Sequence, residues 1–122
     1  MGNSMECPIA QIDEQRFYEA TPEERIHKIY YESCSAVLNH MFYKCCLLTS
    51  LYTPIEDRHK GYATGLIKEL NQHVGIILTP STPQLMNWYK SMGFLVTDFR
   101  PTIRYMNMLN LPLRQYHINK EE

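Results

Sequence analysis

LYTPIEDRHKGYATGLIKEL, residues Leu51 to Leu70, changes its hydrophobic period in the middle. Up to Pro54 the chain from Met41 to Thr53 is aromatic, β-branched and Leu-rich, which reads as a largely buried central strand that the proline ends. After Gly61 the apolar residues Ala63, Leu66, Ile67 and Leu70 fall on one stripe while Lys68 and Glu69 face outward, giving an amphipathic helix that ends near Asn71-Gln72. Between them Arg58-His59-Lys60-Gly61-Tyr62-Ala63 forms the turn. The first N–H groups of a helix have no intrahelical partner and carry about half a positive charge, so such a turn binds phosphate without a basic patch. A Cβ at Gly61 would stand between those N–H groups and phosphate oxygens; Ala63 keeps the next contact small, and Arg58 and Lys60 add charge. By itself the motif is weak evidence, and it also fits an ordinary strand-to-helix turn with a solvated basic edge.

Downstream, Val74 to Leu78 is a short buried strand. Thr79-Pro80-Ser81-Thr82-Pro83 is a turn that caps a helix running to about Met92, with Gly93 as its C-cap. Phe94 to Phe99 and Ile103 to Met108 flank Arg100-Pro101-Thr102 as a closing hairpin, and the tail from Leu113 is polar. Upstream, Thr21-Pro22-Glu23-Glu24 is a capping box. Ile26, Ile29, Tyr30, Ser33 and Val37 share a helical face, so a helix to about residue 38 is predicted. A hairpin competes with it, because Cys34, Ala36 and Leu38 alternate and Asn39-His40 can turn the chain. The order of elements predicts an α/β fold.

At 122 residues and 44% apolar content the chain suffices for one core, so a single domain spanning 1–122 is expected, with 1–20 and 113–122 mobile. Lys plus Arg (12) nearly cancel Asp plus Glu (13), which removes the long-range field that draws proteins to nucleic acid or anionic lipid. No apolar run approaches the roughly 18 residues of a membrane span and no basic region precedes an apolar stretch at the N-terminus, so a cytoplasmic protein is expected. Met1-Gly2 begins a myristoylation pattern that Cys7 breaks. Cys7, Cys34, Cys45 and Cys46 lack C-x-x-C spacing and read as free, mostly buried thiols; the scattered histidines predict no structural metal.

Two blocks resemble the GNAT-type N-acetyltransferases. Arg58-x-x-Gly61-x-Ala63 matches that family's (Gln/Arg)-x-x-Gly-x-(Gly/Ala) signature, and Tyr52-Thr53-Pro54 with Gly61-Tyr62-Ala63 is similar to a bacterial-type subgroup. Trp88-Tyr89-Lys90-Ser91-Met92-Gly93-Phe94 resembles the family's Tyr-x-x-x-Gly-(Phe/Tyr) ending of the next helix. The likeness covers about residues 41–108. It implies a GNAT-like central mixed sheet flanked by helices, abbreviated on its N-terminal side, with acetyl-CoA as cofactor.

The resemblance also implies roles. The strand before the turn would splay from its neighbour over Leu48 to Tyr52 and hydrogen-bond the pantetheine arm, placing Leu51, Tyr52 and Thr53 along it. Backbone N–H groups of His59, Lys60, Gly61, Tyr62, Ala63 and Thr64 would hold the pyrophosphate, assisted by Arg58 and Lys60, and an N–H near Ser50 or Leu51 would stabilise the oxyanion. Tyr89 resembles the general acid for the departing thiolate. Asn87 is assigned to the cofactor because the subgroup's pantetheine-contacting Asn position holds Met86 here. A lysine-like acceptor amine is neutral about once in two to three thousand molecules at pH 7, so a base or water relay is required. Glu32, His40, Glu56 and Asp57 are candidates, none singled out. The acceptor is a small-molecule amine or a peptide or protein, and a homodimer is open. Alternatives stand beside these roles: Tyr89, Trp88 and Phe94 as core aromatics, Met86 and Met92 as filler, Cys45 or Cys46 as an acyl carrier, and the whole domain as an interaction module without turnover.

Overall fold

The computed structural model describes residues 7–102 and 105–110. They form a six-stranded sheet in the order β1-β2-β3-β4-β6-β5. The strands are β1 (Ile26–Tyr31), β2 (Cys34–Phe42), β3 (Cys45–Tyr52), β4 (Gly75–Leu78), β5 (Leu95–Thr102) and β6 (Tyr105–Asn110), with helices α1 (Glu14–Glu19), α2 (Tyr62–Asn71) and α3 (Pro83–Ser91). β3 and β4 run parallel, and every other neighbouring pair is antiparallel.

The second half follows its sequence signals. α2 buries Leu66, Ile67 and Leu70, the predicted stripe, and every residue of β4 is buried. Each such leucine or isoleucine removed from water contributes roughly 1.5–3 kcal/mol. The Thr82 hydroxyl accepts the Leu85 N–H at 3.1 Å with Pro83 opening α3, and Gly93 ends the helix at φ 100°. There Gly93 N donates to Lys90 O at 3.0 Å and Phe94 N to Tyr89 O at 3.2 Å, a Schellman C-cap.

The first half departs from them. The capping box forms, with Thr21 N donating to Glu24 Oε1 at 2.9 Å and Glu24 N to Thr21 Oγ1 at 3.2 Å. It caps only a 3-10 turn, Glu23–Arg25, and not a helix to residue 38. Residues 26–42 are instead the β1–β2 hairpin, which turns at Glu32 (φ 53°) and Ser33, while Asn39 and His40 lie inside β2. The reason is tertiary: in the sheet Cys34, Ala36, Leu38 and His40 all point into the core, whereas the helical stripe would have buried Ile26 and Tyr30, which are 50% and 59% exposed. The predicted strand from Met41 to Thr53 is likewise two strands, divided at Tyr43-Lys44 with Lys44 at φ 68°.

Arg100, Pro101 and Thr102 lie in β5 and do not form the expected turn; residues 103–104 and the polar tail lie outside the described residues. Within the N-terminal segment Cys7, Ile9 and Phe17 are buried. One packing constraint had no signal in the sequence. A Cβ on Gly65 would stand 2.6 Å from Tyr31 Cε1, so this glycine is what lets α2 lie against β1. Among the described residues no helix is long and apolar enough to cross a membrane, and no group of three or more His, Cys, Asp or Glu side chains is placed to hold a metal ion.

Candidate cofactor site at the β3–β4 fork and the start of α2

β3 pairs with β4 only through Cys45↔Gly75, Cys46↔Ile76 and Leu47↔Ile77. β4 ends at Leu78, but β3 continues to Tyr52, paired on its other side with β2 through Leu38↔Leu48, Val37↔Ser50, Ala36↔Leu51 and Ser35↔Tyr52. β4 ends one residue after its last pair with β3, so over Leu48 to Tyr52 the β4-facing edge of β3 has no strand partner among the described residues, and the parallel pair opens there as a fork. The register skips Thr49, whose hydroxyl donates to Val37 O at 2.9 Å. A bulge at the crotch bends the strand and helps to open the fork; nothing in the sequence announced it.

The end of β3 leads through a 3-10 turn, Ile55–Asp57, to Gly61. Gly61 has φ 81°, a conformation that costs other L-residues about 1 kcal/mol, and a Cβ built there meets nothing within 4 Å. The backbone thus favours glycine, and the space before it is clear. Gly65 N is the first to be received within the helix, by Gly61 O at 3.0 Å. The N–H groups of Gly61, Tyr62, Ala63 and Thr64 have no backbone acceptor among the described residues. Unmet donors, the helix dipole and open space fit a pyrophosphate.

The helper cations are less free than the sequence predicts. Arg58 Nε donates to Thr53 O, and Lys60 Nζ pairs with Asp57 Oδ1, both at 2.9 Å. The Ser33 hydroxyl and then Lys60 hold the Asp57 carboxyl below its usual range, and Asp57 in turn raises Lys60. Ser33, in the β1–β2 turn, had no sequence signal linking it to this loop. Of the remaining predicted contacts, Leu51, Tyr62 and Ala63 are half-buried against the core, Thr53 and Thr64 are half-buried, and Tyr52 and His59 are exposed.

On α3 Met86 packs against the core and Asn87 is exposed. Tyr89 is 7% exposed, with its ring 4.9 Å from Trp88 and 5.3 Å from Phe94, and burial raises its phenol above the usual range. Tyr89 and Phe94 occupy the two positions whose side chains clasp in a Schellman cap. The ring in the Tyr-x-x-x-Gly-Phe pattern thus has a structural task of its own; the hydroxyl does not share it.

The base candidates separate. Glu32 and Glu56 are exposed, and Asp57 is engaged by Ser33 and Lys60. His40 is 1% exposed, lies toward the opposite end of β2 from the cradle, and is pushed down to about 4 by burial and by the nearby His27 and Arg25. Burial pushes the Cys45 thiol up to about 11 and raises Cys46 further, with Cys45 and Cys7 adding to it. Both thiols stay protonated, which argues against either as an acyl carrier.

No family model matches this sequence, and no curated protein matches it. Among solved structures the fold is similar to the crystal structure of the ribosomal-protein-S18-alanine N-acetyltransferase from Escherichia coli, with a TM-score of 0.51 and 17% identity over 80% of this chain and 74% of that one. At that identity the likeness speaks for the fold alone. From the forked parallel pair, the helix that starts at its mouth and this neighbour together, the architecture is a GNAT-like mixed α/β fold.

Proposed function

We propose that this chain binds acetyl-CoA along the open edge of β3 and transfers the acetyl group to an amine. One observation carries this: the unpaired edge Leu48 to Tyr52 runs on into the open N-terminus of α2. A ligand with an amide-bearing arm and a pyrophosphate can add itself to the first as a strand and place its charge on the second. The thioester of the bound cofactor supplies an activated acyl group. The chain's own part is to orient and to manage protons. Backbone groups of Leu48 to Tyr52 align the arm, and those of Gly61 to Thr64 hold the charged end. Tyr89, a phenol that is neutral at pH 7 and is raised further by burial, holds the proton for the departing thiolate. The neighbour's substrate is a protein alanine, so a peptide amine is the first acceptor class to try, before small amines.

The test is thermal unfolding with acetyl-CoA, CoA and adenosine diphosphate titrated separately. A ligand at 100 times its Kd adds about 2.7 kcal/mol, a shift of several degrees in a domain of this size. Stabilisation by the CoA species that Gly61→Glu abolishes supports the site; no stabilisation overturns it. A second reading, an interaction module without turnover, is favoured by the core positions of Met86 and the Tyr89 ring. Tyr89→Phe keeps the clasp and removes only the hydroxyl. Turnover lost with CoA binding retained identifies an enzyme, and no turnover in either form identifies the module.

A further inference from the structure

The loop before α2 carries Glu56, Asp57, Arg58 and Lys60, whose formal charges cancel. An anion reaching the N–H groups of Gly61 to Thr64 therefore meets the helix-terminal charge without a net basic loop around it. The two cations of this loop are held in different ways. Arg58 donates through Nε to the neutral Thr53 carbonyl, so its positive charge stays available. Lys60 is bound to an anion, with Nζ 2.9 Å from Asp57 Oδ1 and the two side chains 55% and 20% exposed. The Ser33 hydroxyl, in the β1–β2 turn, also holds the Asp57 carboxyl below its usual range. Ser33 belongs to the hairpin that also touches α2 where Tyr31 meets Gly65. The carboxylate is thus the ion-pair partner that Lys60 must leave to reach a bound anion.

We infer that Asp57 is an affinity-setting latch for the pyrophosphate: it holds Lys60 in the free protein, yields it when the anion binds and takes it back on release. This rests on the cofactor reading above. A multiply charged pyrophosphate outcompetes one carboxylate for an exposed ammonium, but it must do so against that carboxylate's pull and against repulsion from the carboxylate itself. Both effects loosen the hold on the ligand. A transferase must release CoA in every cycle, and release limits many enzymes. Asp57 is accordingly a positioning residue whose removal tightens binding, the opposite of what loss of a structural strut does.

The experiment is calorimetric titration of CoA into the wild type, Asp57→Asn, Asp57→Glu, Lys60→Ala and the Asp57→Asn/Lys60→Ala double variant, at low and high salt. The asparagine keeps the shape of the side chain and an accepting oxygen while removing the charge. Asp57→Asn is expected to lower Kd roughly five-fold at low salt. The gain shrinks at high salt, vanishes in the Lys60→Ala background, and is absent in Asp57→Glu. An unchanged or raised Kd for Asp57→Asn overturns the latch while leaving the cofactor site standing. If the wild type binds no CoA, both fall. Urea unfolding of each variant checks that the fold is retained.

Discussion

The two ends of β2 handle unpaired nitrogen atoms in opposite ways. Near Ser35 and Tyr52, backbone N–H groups of Gly61 to Thr64 have no backbone acceptor among the described residues but face open space before a glycine. Toward Phe42, Arg25 Nε, His27 Nε2 and His40 Nε2 also lack partners among the described residues, but they are buried. There Phe17, the buried residue of α1, sits 4.6 Å from the His40 ring and 4.3 Å from the Arg25 guanidinium, and Arg25 Nη2 donates to Phe17 O at 2.9 Å. A cleft of about 390 Å³ lined by Arg16, Glu19, Glu24 and His27 adjoins this knot. An exposed donor is satisfied by water at no cost and is ready for an anion, whereas a buried one costs about 1–3 kcal/mol. The first end is built to exchange partners; the second loses stability to its buried polarity and anchors α1 with an aromatic ring.

That contrast can be broken in order of effect. Phe17→Ala should cost about 3–5 kcal/mol in urea unfolding, since it removes the aromatic anchor of α1, while leaving any CoA-induced stabilisation intact. A coupled loss of both would mean the two ends are not independent. Gly65→Ala comes next, at about 1–3 kcal/mol, because its Cβ must displace the Tyr31 ring. Its midpoint should recover in a Tyr31→Ala background, and failure to do so would remove the packing account.

The acid limb is the third probe. His40 has a folded pKa of about 4 against an ordinary value of 6.5, so the unfolded chain takes up the proton more readily. The stability held by neutral His40 is complete above pH 6.5 and is lost as pH falls from there toward 4, by up to about 3 kcal/mol. His27, also lowered by burial, titrates in the same direction. His40→Leu should flatten that limb in a pH series of melts; an unchanged limb would place the acid sensitivity elsewhere. The smallest effect is Gly61→Ala, about 1 kcal/mol of backbone strain with no steric term, read from the melting midpoint. A much larger loss would show that the cradle is packed against something and is not open.

The chain's second half was legible because each signal there is local and agrees with its surroundings. Thr82-Pro83 caps α3, Gly93 supplies the left-handed residue, and the stripe of Leu66, Ile67 and Leu70 meets a sheet that needs it. In the first half the signals conflict. The Thr21 box satisfies its own donors over one turn, but the alternation of Cys34, Ala36 and Leu38 can be buried only by strand pairing with β1 and β3, partners that no local window contains. The turn residues that resolved the conflict, Glu32 and Lys44, adopt positive φ without being Gly or Asn, so composition did not mark them.

For the site the division is similar. By itself the sequence determined a glycine before an amphipathic helix, a strand leading into it and a tyrosine near the end of the next helix, because backbone conformation and hydrophobic period are short-range properties. Only the tertiary structure decided that β3 leaves β4 after Leu47, that Thr49 bulges at the crotch, that Ser33 and Asp57 meet beside the cradle, and that the Tyr89 ring clasps Phe94. The fork, the bulge and the meeting of Ser33 with Asp57 depend on which strands become neighbours and in what register. That choice is made by burial summed over the whole sheet, which no single stretch of residues encodes.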